Sequence, residues 1–164
     1  MDFRNSINRV NDLTLQVTEK LGFIVPLVTR IVIGLAFFHT GVGKFRHFDN
    51  IVGFFQGLGI PFPAFNAGLV ASMETVGGIM LILGLFTRFF ASGLSITMVV
   101  ALITADSASF LASWSSASEN SPTDVTAFVF LLFMLWLVFY GAGKVSLDAV
   151  LRKVLGTETQ SQGA

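Results

Sequence analysis

The sequence predicts an all-α integral membrane protein: a four-helix bundle with N- and C-termini cytoplasmic and amphipathic helices at the interface. Three observations carry that prediction. The 164 residues are 53% apolar and only 12% charged, about half the charge of a soluble domain. Four stretches approach the roughly twenty apolar residues that a helix needs to cross the hydrocarbon core. Basic residues are distributed unevenly between the segments flanking those stretches, which orients the chain.

The elements follow in order. Over residues 1–22, Phe3, Ile7, Val10, Leu13, Val17 and Leu21 recur at helical steps and predict an amphipathic interfacial helix. This segment lacks the basic start, brief apolar run and small-residue site of a signal peptide, so the first span is expected to stay in the mature protein. Residues 23–152 form the membrane domain, with spans near Phe23–Gly43, Pro63–Phe86, Arg88–Ala105 and Asp124–Gly141. Between the first two spans, Phe45, Phe48, Ile51, Val52, Phe55 and Leu58 predict a second interfacial helix, ended by the turn in GLGIPFP. Residues 153–164 are a cytoplasmic tail.

Arg4, Arg9, Lys20, Arg88, Lys144, Arg152 and Lys153 fall on one side, against Lys44 and Arg46 on the other. Seven against two places both termini in the cytoplasm.

Net charge is zero and there is no cysteine. Disulfides, thiolate metal sites and thiol relays within the chain are excluded, and the dense basic face of a nucleic-acid binder is missing. Phosphate-binding loops, nucleophile elbows and zinc signatures are also missing. His39 and His47 sit too near one another on one helix to clasp a haem between them, so no metal, haem or nucleotide is expected. Asp106 and Asp124 close the outer ends of the last two spans, and Asp106 could join Lys44 and Arg46 in an outer charge cluster. Trp136 and Tyr140 suit packing or interfacial anchoring.

The charges embedded in the spans are Arg30 and Glu74. An unpaired charge there costs at least about 2.5–3.5 kcal/mol, so a pair is expected. Measured from the span centres, the two differ in depth by roughly 6 Å at 1.5 Å per residue, within an arginine's reach. Small residues flank both: Gly34 and Gly41 share Arg30's face, and Ala67, Ala71 and Gly78 share that of Glu74. Such faces let helix backbones approach. The Arg30–Glu74 contact could be a structural ion pair that sets helix register, or could line a pocket for a quinone, a proton or a small ligand.

The segments TRIVIGLAFFHTGVGKF, GIPFPAFNAGLVASMETVGGIMLILGLFTRFFAS and GAGKVSLD, in that order, resemble the DoxX family of small bacterial membrane proteins over roughly Pro26–Leu151. The resemblance implies a four-helix inner-membrane bundle. Some relatives are linked to thiosulfate:quinone oxidoreductase, others to membrane complexes handling oxidative stress. It marks Arg30, Lys44, Glu74, Arg88 and Asp148 as recurring polar positions, with Gly34, Gly41 and the pair Gly77–Gly78 beside them; Asp124 stands where many relatives carry glutamate. Three functions stay open: a quinone-binding membrane subunit of an oxidoreductase complex, a non-catalytic scaffold or assembly factor, and a small proton-coupled transporter. Whether the chain is itself an enzyme is left open, and a partner subunit or homo-oligomer is expected.

Overall fold

The computed structural model describes residues 21–115 and 119–156, together with Asp12 and Leu15. Most of the expected amphipathic segment over 1–22 therefore lies outside the described residues, as do residues 157–164 of the tail. The described residues are helical, without strands. The helices are α1 (Ile24–Arg46), α2 (Phe48–Gly57), α3 (Pro63–Leu83), α4 (Thr87–Ile103), α5 (Ser107–Ala112), α6 (Thr126–Tyr140) and α7 (Leu147–Val154), with a single 3-10 turn at Pro122–Asp124.

Among the described residues two helices, α1 and α3, are long and apolar enough to cross a membrane; α4 and α6 are apolar but shorter. At 1.5 Å per residue the 23 residues of α1 reach about 34 Å, whereas the 17 of α4 reach only about 25 Å and the 15 of α6 about 22 Å. Each of the four helices coincides with one of the apolar stretches, and their ends fall where chain-breaking residues stand. Gly59 (φ +72°) and Gly84 (φ +67°) adopt the left-handed conformation after α2 and α3. In both turns the amide of the following residue, Ile60 or Leu85, reaches back five residues to Phe55 or Met80, the bonding pattern of a glycine-closed helix end.

The helices pack as two antiparallel couples. In the first, α1 lies on α3 at backbone contact. A Cβ on Gly34 would come within 2.7 Å of the Gly78 carbonyl oxygen, and one on Gly78 within 2.6 Å of both Gly34 O and Phe38 N. Gly41 lies equally close to Thr75. In the second, α4 and α6 join through Leu94, Met98, Leu102, Ala127, Met134 and Leu137, which are buried in one core cluster with Phe37 of α1. The adjacent glycines of α3 serve different neighbours: Gly78 meets α1, while Gly77 takes the Leu94 side chain of α4. Phe37 and Phe130, with ring centroids 5.2 Å apart, tie α1 to α6.

Outside this core large apolar side chains are exposed along the helices. Leu69, Ile79, Ile96, Ile103, Phe133 and Phe139 are all exposed, an extent of apolar exposure that water does not tolerate over a whole molecule. The segment α2 packs across the start of α3, with Phe48, Ile51, Val52 and Phe55 half-buried.

Candidate functional site

Glu74, at the middle of α3, is 3% exposed. It forms an ion pair with Lys44, Nζ to Oε2 at 2.5 Å, in place of the expected contact with Arg30. Two physical reasons explain the change. Hydropathy locates spans but not their sliding register, which the glycines set: Gly34 lies against Gly78 and Ile82, and Gly41 against Ala71 and Thr75. In that register Arg30 stands opposite Gly84, ten residues or about 15 Å from Glu74. The second reason is direction. Every Cα–Cβ bond of a helix tilts toward its N-terminus, so in antiparallel helices Arg30 leans away from Glu74, whereas Lys44 leans toward it. The lysine stem runs inward along α1 and delivers its ammonium to the carboxylate.

The pair is unevenly buried, the Lys44 side chain being 23% exposed and that of Glu74 4%. Gly43 beside Lys44 has open space, with nothing within 4 Å of where a Cβ would stand. The partly exposed ammonium keeps further N–H groups beyond the one it gives to the buried acceptor.

Arg30 is placed at the other end of α1, 2% exposed. Its Nη2 donates to the Val145 carbonyl at 2.5 Å, and the Asp148 carboxylate acts on its charge. Its Nε and Nη1, with Thr87 Oγ1, are buried without a hydrogen-bond partner. Nη1 packs directly over Gly84, where a Cβ would collide with it. Arg30 is therefore wedged against backbone, in a setting that suits a structural latch.

Around it the chain folds a clasp. Asp148 accepts from the amides of Phe86 (2.8 Å) and Thr87 (3.0 Å), and its own amide donates to Gly84 O at 2.9 Å. The carboxylate thereby caps the N-terminus of α4 from a remote segment, and Phe86 holds the left-handed φ of 48° at that start. Ser146 Oγ accepts from Ala149 N to cap α7 and donates to Gly143 O. Arg88 Nη2 donates to Phe139 O at 3.2 Å in the last turn of α6, a position where a cation also meets the helix dipole favourably. Gly141 lies close under Arg88, where a Cβ would come within 3.3 Å of its Nε.

The anticipated site residues thus divide into three groups. Lys44 and Glu74 form the buried pair; Arg30, Arg88 and Asp148 build the clasp; Gly34, Gly41, Gly77 and Gly78 bring the helices together. Sequence reasoning missed Gly84, Thr87, Val145 and Ser146 as clasp members. The available signal was that the Gly-Leu-Phe-Thr-Arg and Gly-Ala-Gly-Lys-Val-Ser-Leu-Asp segments were both assigned to the same end of the molecule. His39 and His47 are exposed. Asp124 closes a capping box with Ser121. Lys44 turns inward to Glu74 and makes no ion pair with Asp106. A separate open groove of about 590 Å³ runs along Phe65, Leu69, Met73, Val76 and Phe90, on the side of α3 turned away from Glu74.

The DoxX family profile matches residues 25–107, and a Mycobacterium tuberculosis relative, "Uncharacterized membrane protein Rv3486", is 35% identical over 76% of this chain and 79% of its own. The chain belongs to the DoxX family. A Bacillus subtilis protein named "Putative oxidoreductase CatD" is 33% identical over 49% of this chain, and the match spans 59% of that relative's length. The Escherichia coli "Inner membrane protein YphA" is 35% identical over 40% of this chain and 46% of its own. No solved structure matches. With these membrane-protein relatives and its exposed apolar helices, the chain is a membrane protein.

Proposed function

We propose that this DoxX-family chain is a multi-pass inner-membrane protein with both termini cytoplasmic, whose four apolar helices cross the bilayer as one bundle. It serves a membrane oxidoreductase or oxidative-stress complex by holding the head group of a quinone-like lipophilic ligand at Lys44 and Glu74. The observation that carries this reading is the Lys44–Glu74 pair, a buried carboxylate joined to a lysine side chain that is 23% exposed. The seven-to-two distribution of basic residues supports the orientation, and a relative named as an oxidoreductase supports the redox setting.

The residues fit such a head group. The Lys44 ammonium has three donors, of which Glu74 occupies one, so another can bind and orient a carbonyl oxygen. The other carboxylate oxygen of Glu74, which is not bonded to Lys44, can accept a hydrogen bond from an adjoining hydroxyl. Apolar α1 and α3 exclude water on either side, which strengthens both interactions. A quinone when bound supplies two-electron redox capacity. The chain contributes no cysteine thiol, so electrons enter from a partner subunit.

Mass spectrometry of lipid extracts from protein purified in mild detergent tests this. Quinone near one per chain in the wild type, lost in folded Glu74→Gln and Lys44→Met, is the expected result. Quinone absent from all three refutes the ligand reading. The close α1–α3 packing around the pair favours a second reading, a scaffold, in which those variants alter assembly alone.

A further inference from the structure

The short helix α7 is amphipathic and its apolar face is uncovered. Leu147, Val150, Leu151 and Val154 recur at steps of three, one and three along one side, and all are exposed, Val154 at 75%. Leu155 continues the stripe at 70% exposure. Asp148 and Arg152 lie on the other side, where the Arg152 Nε donates to Asp148 O at 3.2 Å. The helix is fastened at its first turn, through Asp148 and Ser146.

Its surroundings indicate what covers it. Phe139 and Tyr140 at the end of α6 are 74% and 73% exposed, and Phe86 and Phe89 at the start of α4 are 62% and 68% exposed. These belong to the apolar girdle of the spans at the same end as α7. Lys144, Arg152 and Lys153 bracket the helix, and Arg88 stands at the same end. An apolar stripe continuous with the lipid-facing girdle, edged by cations, matches the boundary between acyl chains and anionic headgroups.

We propose that α7 is an interfacial helix that lies on the bilayer surface and docks anionic phospholipid headgroups through Lys144 and Lys153. This rests on the spanning reading above and is independent of the quinone. Docked there, α7 holds Asp148 over the N-terminus of α4 and Val145 over Arg30, so the membrane surface keeps the clasp closed.

The absence of native cysteine makes the test clean. Single variants Val154→Cys, Lys153→Cys and Ile96→Cys of the full chain are labelled with a fluorophore in vesicles of phosphatidylcholine alone or mixed with phosphatidylglycerol. Brominated lipid quenches from the membrane, iodide from water. The label at 96, on the exposed mid-helix face of α4, reports the span itself; its failure to be quenched by brominated lipid would overturn the spanning reading. With 96 quenched, lipid quenching at 154 and iodide quenching at 153 are expected. Neutralising Lys144 and Lys153 to Gln should lower the docked-to-undocked ratio at 154 by about fivefold per charge, in phosphatidylglycerol vesicles only. Iodide access at both 153 and 154 overturns the proposal, as does protection of both from both quenchers, which would mean a protein partner or a second copy on α7. Equal docking in both lipid mixtures overturns the headgroup assignment.

Discussion

Removing one partner of the Lys44–Glu74 pair should hurt unequally depending on which partner goes. Breaking a buried ion pair typically costs about 3–5 kcal/mol, because a charge is left without a counter-ion. The Glu74 side chain is 4% exposed and lies mid-helix, so it has no route to water. Lys44→Met should therefore cost close to that full amount, about 3–5 kcal/mol. The Lys44 side chain is 23% exposed and stands two residues from the end of α1. Once Glu74→Gln removes its partner, its stem can swing outward and put the ammonium at the interface, limiting the cost to about 1–2 kcal/mol. The double variant leaves no charge behind and should be less destabilised than the two singles summed, by about 1–3 kcal/mol. Reversible unfolding of the purified protein in mixed detergent micelles measures all four states. Equal single costs with no coupling would refute the reasoning, and coupling of Glu74 to Arg30 in place of Lys44 would refute the register from which it follows.

Other consequences are read the same way. Gly78→Ala pushes a methyl group to within 2.6 Å of Gly34 O and Phe38 N and should cost about 1–3 kcal/mol by overpacking, whereas Gly43→Ala, with nothing within 4 Å, should be neutral or stabilising by up to about 1 kcal/mol. Asp148→Ala removes the acceptor for two amides at the start of α4; a loss of about 1–3 kcal/mol should appear as faster hydrogen exchange at Phe86 and Thr87. In Gly84→Ala the new methyl group strikes the Arg30 guanidinium at a backbone φ of +67°, so it should destabilise more than Gly43→Ala by over about 2 kcal/mol in the same unfolding assay.

The helices were legible in the sequence because apolar run length and breaking residues act locally. Pro63 opens α3, and Gly84 closes it whatever the rest of the chain does. That Glu74 would need a partner was legible from its cost, and the close helix packing at Gly34, Gly41 and Gly78 from their spacing beside it. The partner of Glu74 was not legible. Choosing between Arg30 and Lys44 requires the sliding register of two helices, and the glycines allow contact without stating its offset in a way that hydropathy can read. The Cβ tilt was available from helix geometry and would have favoured Lys44. The clasp is non-local: Asp148 caps a helix that starts 61 residues earlier, and Arg30 meets Val145 across 115. No periodicity connects such residues; only the assignment of both segments to the same side of the membrane hinted at it.

The central claim, that Lys44 and Glu74 face a lipophilic head group, is tested most directly by photolabelling the full chain in its native membrane with an azidoquinone and mapping the modified residues. The account predicts labels on the α1–α3 seam near Lys44, at Gly41, Gly43, Ala71 or Thr75, that disappear in Glu74→Gln. Labels confined to the groove residues Phe65, Leu69 and Phe90, or to the Arg30 end of the molecule, would contradict it.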